Sequence, residues 1–105
     1  PQGCEAEFRL EGHVPSIVVP APATPARRDN LWKTTCFEIF WQPICDTWYR
    51  EFNLSPSGQW AAYDFDSFRE GMRDAPVEAI AVACSHDDGA LVLKASIAAS
   101  LPDPA

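Results

Sequence analysis

Positive charge is scarce in this chain: eight lysines and arginines face fifteen aspartates and glutamates, for a net charge of −7. A chain this acidic repels phosphate backbones, and no basic stripe offsets the repulsion. Arg27 and Arg28 form the only adjacent basic pair and read as part of a solvated loop. Nucleic acid is therefore not an expected partner. Long apolar runs are missing too, since none approaches the roughly 20 residues that cross a bilayer. No membrane partner is expected either. The first residues, "PQGCEAEFRLEG", lack the charged-then-apolar pattern of a secretory signal. That absence slightly favours a cytoplasmic setting, although a chain that begins with Pro1 leaves its compartment open. Cysteines stand at positions 4, 36, 45 and 84, a spacing that matches no CxxC ligand set. Buried free thiols are the expectation, with a 36–45 bridge as the alternative. Internal repeats and sustained heptads are absent.

What is present is an unusual concentration of rings. Residues 30–72 hold all four tryptophans, both tyrosines and five of the six phenylalanines. With 47% hydrophobic and 22% charged residues, the 105-residue chain is globular in class, one small domain or part of one. "AEFRLEGHV" alternates as a strand does, and "SIVVP" is a short β-branched run. "PAPATPARRDN" is an extended loop, because proline lacks the donor that a sheet ladder needs. Three strands follow, "LWKTTCFEIFW", "WYREFNL" and "QWAAYDF", joined by the turns "QPICDT" and "SPSG". "DSFREGMRDAP" reads as a loop with one helical turn. "VEAIAVACS" and "ALVLKASIAASL" form a last hairpin around "HDDG". The expected fold is all-β: an antiparallel β-sandwich spanning 1–105, with open sheet edges available for self-association.

Side chains alternate across a strand, so a register assigns faces. Pairing Trp41 with Trp48 and Leu54 with Gln59 collects Phe37, Ile39, Trp41, Trp48, Phe52, Ala61, Tyr63 and Phe65 on one face. Arg50 is the only charge among them. The other face then carries Trp32, Glu38, Phe40, Tyr49, Glu51, Asn53, Trp60 and Asp64. Flat rings beside carboxylates and an amide suit a saccharide or polyol, whose C–H faces rest on rings while its hydroxyls need donors and acceptors. In the competing reading Trp32, Phe40 and Trp60 cover a second hydrophobic layer and the acids lie at its rim.

Other chemistries have less behind them. Glu38 and Glu51 as cross-strand neighbours would have the spacing of a glycosidase pair, but a chain this short offers no second wall for a cleft. No enzyme is expected. Ser55 and Ser57 have no histidine nearby in sequence to activate them. Glu38, Glu51 and Asp64, or Asp87 and Asp88 in "CSHDDG", could offer oxygens to a structural calcium ion.

The string "LWKTTCFEIF…YREFNLSPSGQWAAYDFDSFREGM" resembles the central signature of bacterial DOMON-like proteins, relatives of the family nine carbohydrate-binding modules. The similarity covers roughly residues 8–75, with "TCFE" and "EFNLSPSGQWAAY" at the family's spacing. It implies a jelly-roll-like sandwich that binds sugar or haem. It also implies an incomplete domain, because whole family members continue through further strands. Trp32, Glu38, Glu51, Asn53, Trp60 and Arg69 fall in the motif blocks. Haem, held in some such domains between Met and His, would draw on Met72 and on His13 or His86. The single methionine and two histidines have blander readings in a loop and in solvated turns.

Overall fold

The alternating stretches of the sequence are the strands of the structure. A computed structural model describes residues 3–12, 19–43, 46–87 and 89–99, without the side chain of Asp87. β1 (Gly3–Leu10), β7 (Ala90–Ala98) and β6 (Ala79–Asp87) form one sheet in the order β1-β7-β6. β2 (Phe37–Trp41), β3 (Tyr49–Leu54), β4 (Trp60–Phe65) and the short β5 (Arg73–Asp74) form the other, in that order. Every strand pairing is antiparallel.

The two sheets face each other across one core. Phe52, Leu54 and Ala62 from the four-stranded sheet meet Ile80, Leu93, Ala95 and Ile97 from the three-stranded one. Phe52, Leu54 and Leu93 have no solvent exposure. Phe8, Phe37, Ile39, Trp41 and Trp60 close the margins of this layer. The outer face of the three-stranded sheet carries Glu5, Glu7 and Lys94, all exposed, as alternation requires. The fold is thus the expected all-β sandwich.

Departures from expectation are local. Leu31–Lys33, expected to begin a strand, form a 3-10 turn, so β2 starts at Phe37. "DSFREGMRDAP" holds no helix; it supplies β5, and Ser67 bridges Glu70 in a tight turn. The proline-rich segment is tied down: Ala23 N–H donates to the Ser57 carbonyl (2.9 Å), and Arg27 forms a parallel bridge with Trp60. "SIVVP" lies largely outside the described residues, as do Cys45 and Asp88. Cys4 and Cys84 are free thiols within strands, and Cys36 is a free thiol one residue before β2.

Register differs in both central hairpins, with unequal consequences. β2 and β3 pair Trp41 with Arg50 instead of Trp48. That is a slip of two residues, which leaves every side chain on its expected face. The Gln42 amide donates to the Asp46 and Thr47 carbonyls, and the Thr47 hydroxyl donates to the Asp66 carbonyl. These bonds hold the connection open, so that Trp48 precedes the strand. β3 and β4 pair Leu54 with Trp60, not Gln59, a slip of one. A one-residue slip turns a whole strand over. Its cause is the turn: Gly58 N–H donates to Ser55 O and Ser55 N–H to Gln59 O. With Gly58 at φ 94, this is a type I turn carrying a glycine bulge, one loop residue shorter than "SPSG" suggests. Ala61, Tyr63 and Phe65 therefore face outward, and Trp60 and Asp64 face the sandwich.

Candidate binding site

β3 presents Tyr49, Glu51 and Asn53 to the outer face of the four-stranded sheet. Their cross-strand neighbours on β4 are Phe65, Tyr63 and Ala61. On β2 the neighbours of Glu51 and Asn53 are Phe40 and Glu38. Part of this face is covered. Asn30, in the left-handed region at φ 63, turns the chain so that buried Leu31 packs on Ala61, Tyr63 and Phe65. This is a second, smaller hydrophobic layer, but Trp32, Phe40 and Trp60 are not its cover: the first two are exposed and Trp60 packs on the main core. Beside it the face stays open as a hollow of about 450 Å³, lined by Asp29, Asn30, Trp32, Glu51, Asn53, Tyr63, Met72, Arg73 and Asp74.

Polar groups in the hollow are mostly committed to each other. The Tyr63 hydroxyl donates to Asp29 Oδ1 at 2.5 Å. Burial, then the Asp29 carboxylate, pushes the Tyr63 phenol well above its ordinary range. Arg73 donates to Asp66 Oδ1 (2.7 Å) and to the Gly71 carbonyl (2.9 Å). Asp74 lies 3.9 Å from the Arg27 guanidinium, which also serves the Ala62 and Ala75 carbonyls. Glu51 is half-buried; desolvation raises its carboxyl pKa, the Asn53 side-chain hydrogen bond partly offsets this, and Glu38 adds repulsion. The Asn53 side chain is almost fully buried, at 4% exposure, and its Oδ1 has no hydrogen-bond partner. An unsatisfied buried acceptor costs about 1–3 kcal/mol. Among the described residues Asn53 Oδ1 is the one buried side-chain nitrogen or oxygen without a hydrogen-bond partner.

Trp32, Glu51 and Asn53, all expected on a binding face, line this hollow together. Exposed Glu38 sits next to Asn53 across the strand pair, at the margin. Tyr49 stands farther along β3, stacked on Phe65 with ring centroids 4.9 Å apart. Arg69 is in the exposed turn, its guanidinium 5.0 Å from the Phe68 ring, and only its backbone N–H reaches Tyr49. Trp60 is on the wrong face for a platform: it packs against the main core, and its ring lies 4.7 Å from the Arg27 guanidinium. Tyr63, assigned to the core by the assumed register, takes the outward position instead. Asp29, Met72, Arg73 and Asp74 come from loops and from β5, where no periodicity marks them.

The rival ligand sets separate. Asp64 faces the sandwich and is paired with Arg50 (Nε–Oδ1 2.7 Å), so it cannot join Glu38 and Glu51 around calcium. Glu38 lies opposite Asn53 and Glu51 opposite Phe40, which makes the two glutamates diagonal and not adjacent. Met72 lines the hollow, whereas His86 is on β6 of the other sheet and His13 lies outside the described residues. A second trough of about 450 Å³ crosses the outer face of the three-stranded sheet, over Ala81, Ala83 and Ser96. Its Glu7 is 3.6 Å from Lys94, and no buried unpartnered polar side chain lines it among the described residues. No protein family, curated protein or solved structure matches this chain.

Proposed function

We propose that the outer face of the four-stranded sheet binds a carbohydrate or similar polyol, without chemistry. The observation that carries this reading is the orphaned Asn53 Oδ1 beside the Glu51 carboxylate, in a hollow bordered by an exposed indole. A ligand hydroxyl donating to Asn53 would remove the unsatisfied acceptor. Glu51 would accept a second hydroxyl, each bond contributing about 0.5–1.5 kcal/mol net. Trp32, 64% exposed, takes the stacking role, because Trp60 packs on the core side of the sheet. The motif blocks that resemble DOMON-like proteins contain Trp32, Glu51 and Asn53, which is the support the resemblance lends.

A hollow on an open sheet face exchanges water for ligand at nearly equal cost, so affinities from micromolar to millimolar are expected. Titrating mono- and oligosaccharides while following tryptophan fluorescence tests the reading. Trp32→Ala should abolish the response and leave thermal stability nearly unchanged, because the ring is exposed. A folded wild-type protein that responds to no sugar would contradict the proposal.

A further inference from the structure

The polarity of the hollow narrows the ligand class, given the reading above that it is a binding site. We infer that the hollow prefers a cationic amino sugar to a neutral one, with the ammonium group held at Glu51. The acceptors available are Glu51, Asn53 Oδ1 and, at the rim, Asp29 and Asp74. Two donors are committed, Tyr63 to Asp29 and one Arg73 nitrogen to Asp66 and Gly71, while the Asn30 amide and the Trp32 indole border the same hollow. A neutral hydroxyl brings one donor and asks for a donor in return, whereas an ammonium brings three donors and accepts nothing. A lining in which carboxylates outnumber cations fits the second pattern.

Charge points the same way. Asp29, Glu51 and Asp74 outnumber Arg73 in the lining, and no ion pair among the described residues engages Glu51. The exposed Trp32 ring on the same hollow offers a π face to a cation. Asn53 is the independent sign that a ligand belongs here: a side chain this buried, with an unpartnered oxygen, lines the space an ammonium at Glu51 would border. The same carboxylate would then accept a charge-assisted hydrogen bond, the stronger kind.

Glucosamine, N-acetylglucosamine and glucose share a ring and differ in the 2-substituent, so they separate the two readings. Titrated at low salt and about pH 6, where the free amine is protonated, glucosamine should bind at least about tenfold tighter than either neutral sugar. Glu51→Gln, checked for folding by circular dichroism, should close that gap. Glu7→Gln on the opposite sheet should keep it. Equal binding of the three sugars by wild type would overturn the inference and leave the polyol reading standing. Binding of none would overturn that reading and this one with it. A gap that persists in folded Glu51→Gln would refute the assigned anchor.

Discussion

Two residues show how differently one chain treats its charges. Arg50 and Asp64 form a doubly hydrogen-bonded pair inside the sandwich, at 2.7 and 3.1 Å, with side chains only 7% and 10% exposed. Removing one partner strands the other, so Asp64→Ala should cost about 3–5 kcal/mol in urea unfolding. Replacing both, as Arg50→Met with Asp64→Leu, should recover most of that loss. A single variant as stable as wild type would show the pair to be hydrated. Cys36 is governed by burial and then by the nearby charge of Glu38, which push its thiol up to about 11. The raised value keeps the thiol protonated at neutral pH, and only the thiolate attacks. Alkylation of Cys36 by iodoacetamide at pH 8 should run about a hundredfold slower than that of a free thiol. The rate should rise steadily as pH climbs toward 11. Fast labelling at pH 8, followed by mass spectrometry, would show the site to be open.

At the scale of elements, the strands were legible and the faces were only half so. Alternating rings and β-branched residues mark β2, β3 and β4 because a pleated, half-buried surface selects them. Pairing depends on loop geometry, which composition does not report. The first hairpin slipped by two residues and kept its faces; the second slipped by one and turned β4 over, exchanging Trp60 for Tyr63 in the site. The information was present in "SPSG", since a glycine after Ser-Pro-Ser can close a three-residue loop with a bulge, but so could a four-residue loop. Burial of the turn completes the choice. Ser55 and Ser57 are nearly inaccessible, their hydroxyls 2.8 Å apart, with Ala23 bonded to the Ser57 carbonyl. Gly58 is the residue on which the orientation of β4 rests. Gly58→Ala puts a side chain at φ 94 and should destabilise the fold by about 1–2 kcal/mol. A neutral thermal melt would argue against the bulged turn. The loop-borne members of the hollow were not legible, because Asp29, Asn30 and Met72 acquire their role only when distant loops meet over the sheet.

On the scale of the molecule, one sandwich presents two unlike outer faces. The three-stranded sheet shows alanines between exposed charges, some of them paired. The four-stranded sheet shows rings, three carboxylates around a hollow and one unsatisfied amide oxygen. A ligand bound on the second face would meet Trp32, Glu51, Asn53 and Tyr63, with Trp60 behind the sheet. Chemical-shift mapping during a glucosamine titration tests that placement most directly. The prediction is that the Trp32 indole, the Asn53 amide group and the backbone of Glu51 and Tyr63 shift together and saturably, while the Trp60 indole and Ala81–Ala83 stay fixed. Shifts centred on Trp60 or on the alanine trough, or none at any concentration of sugar, would contradict it.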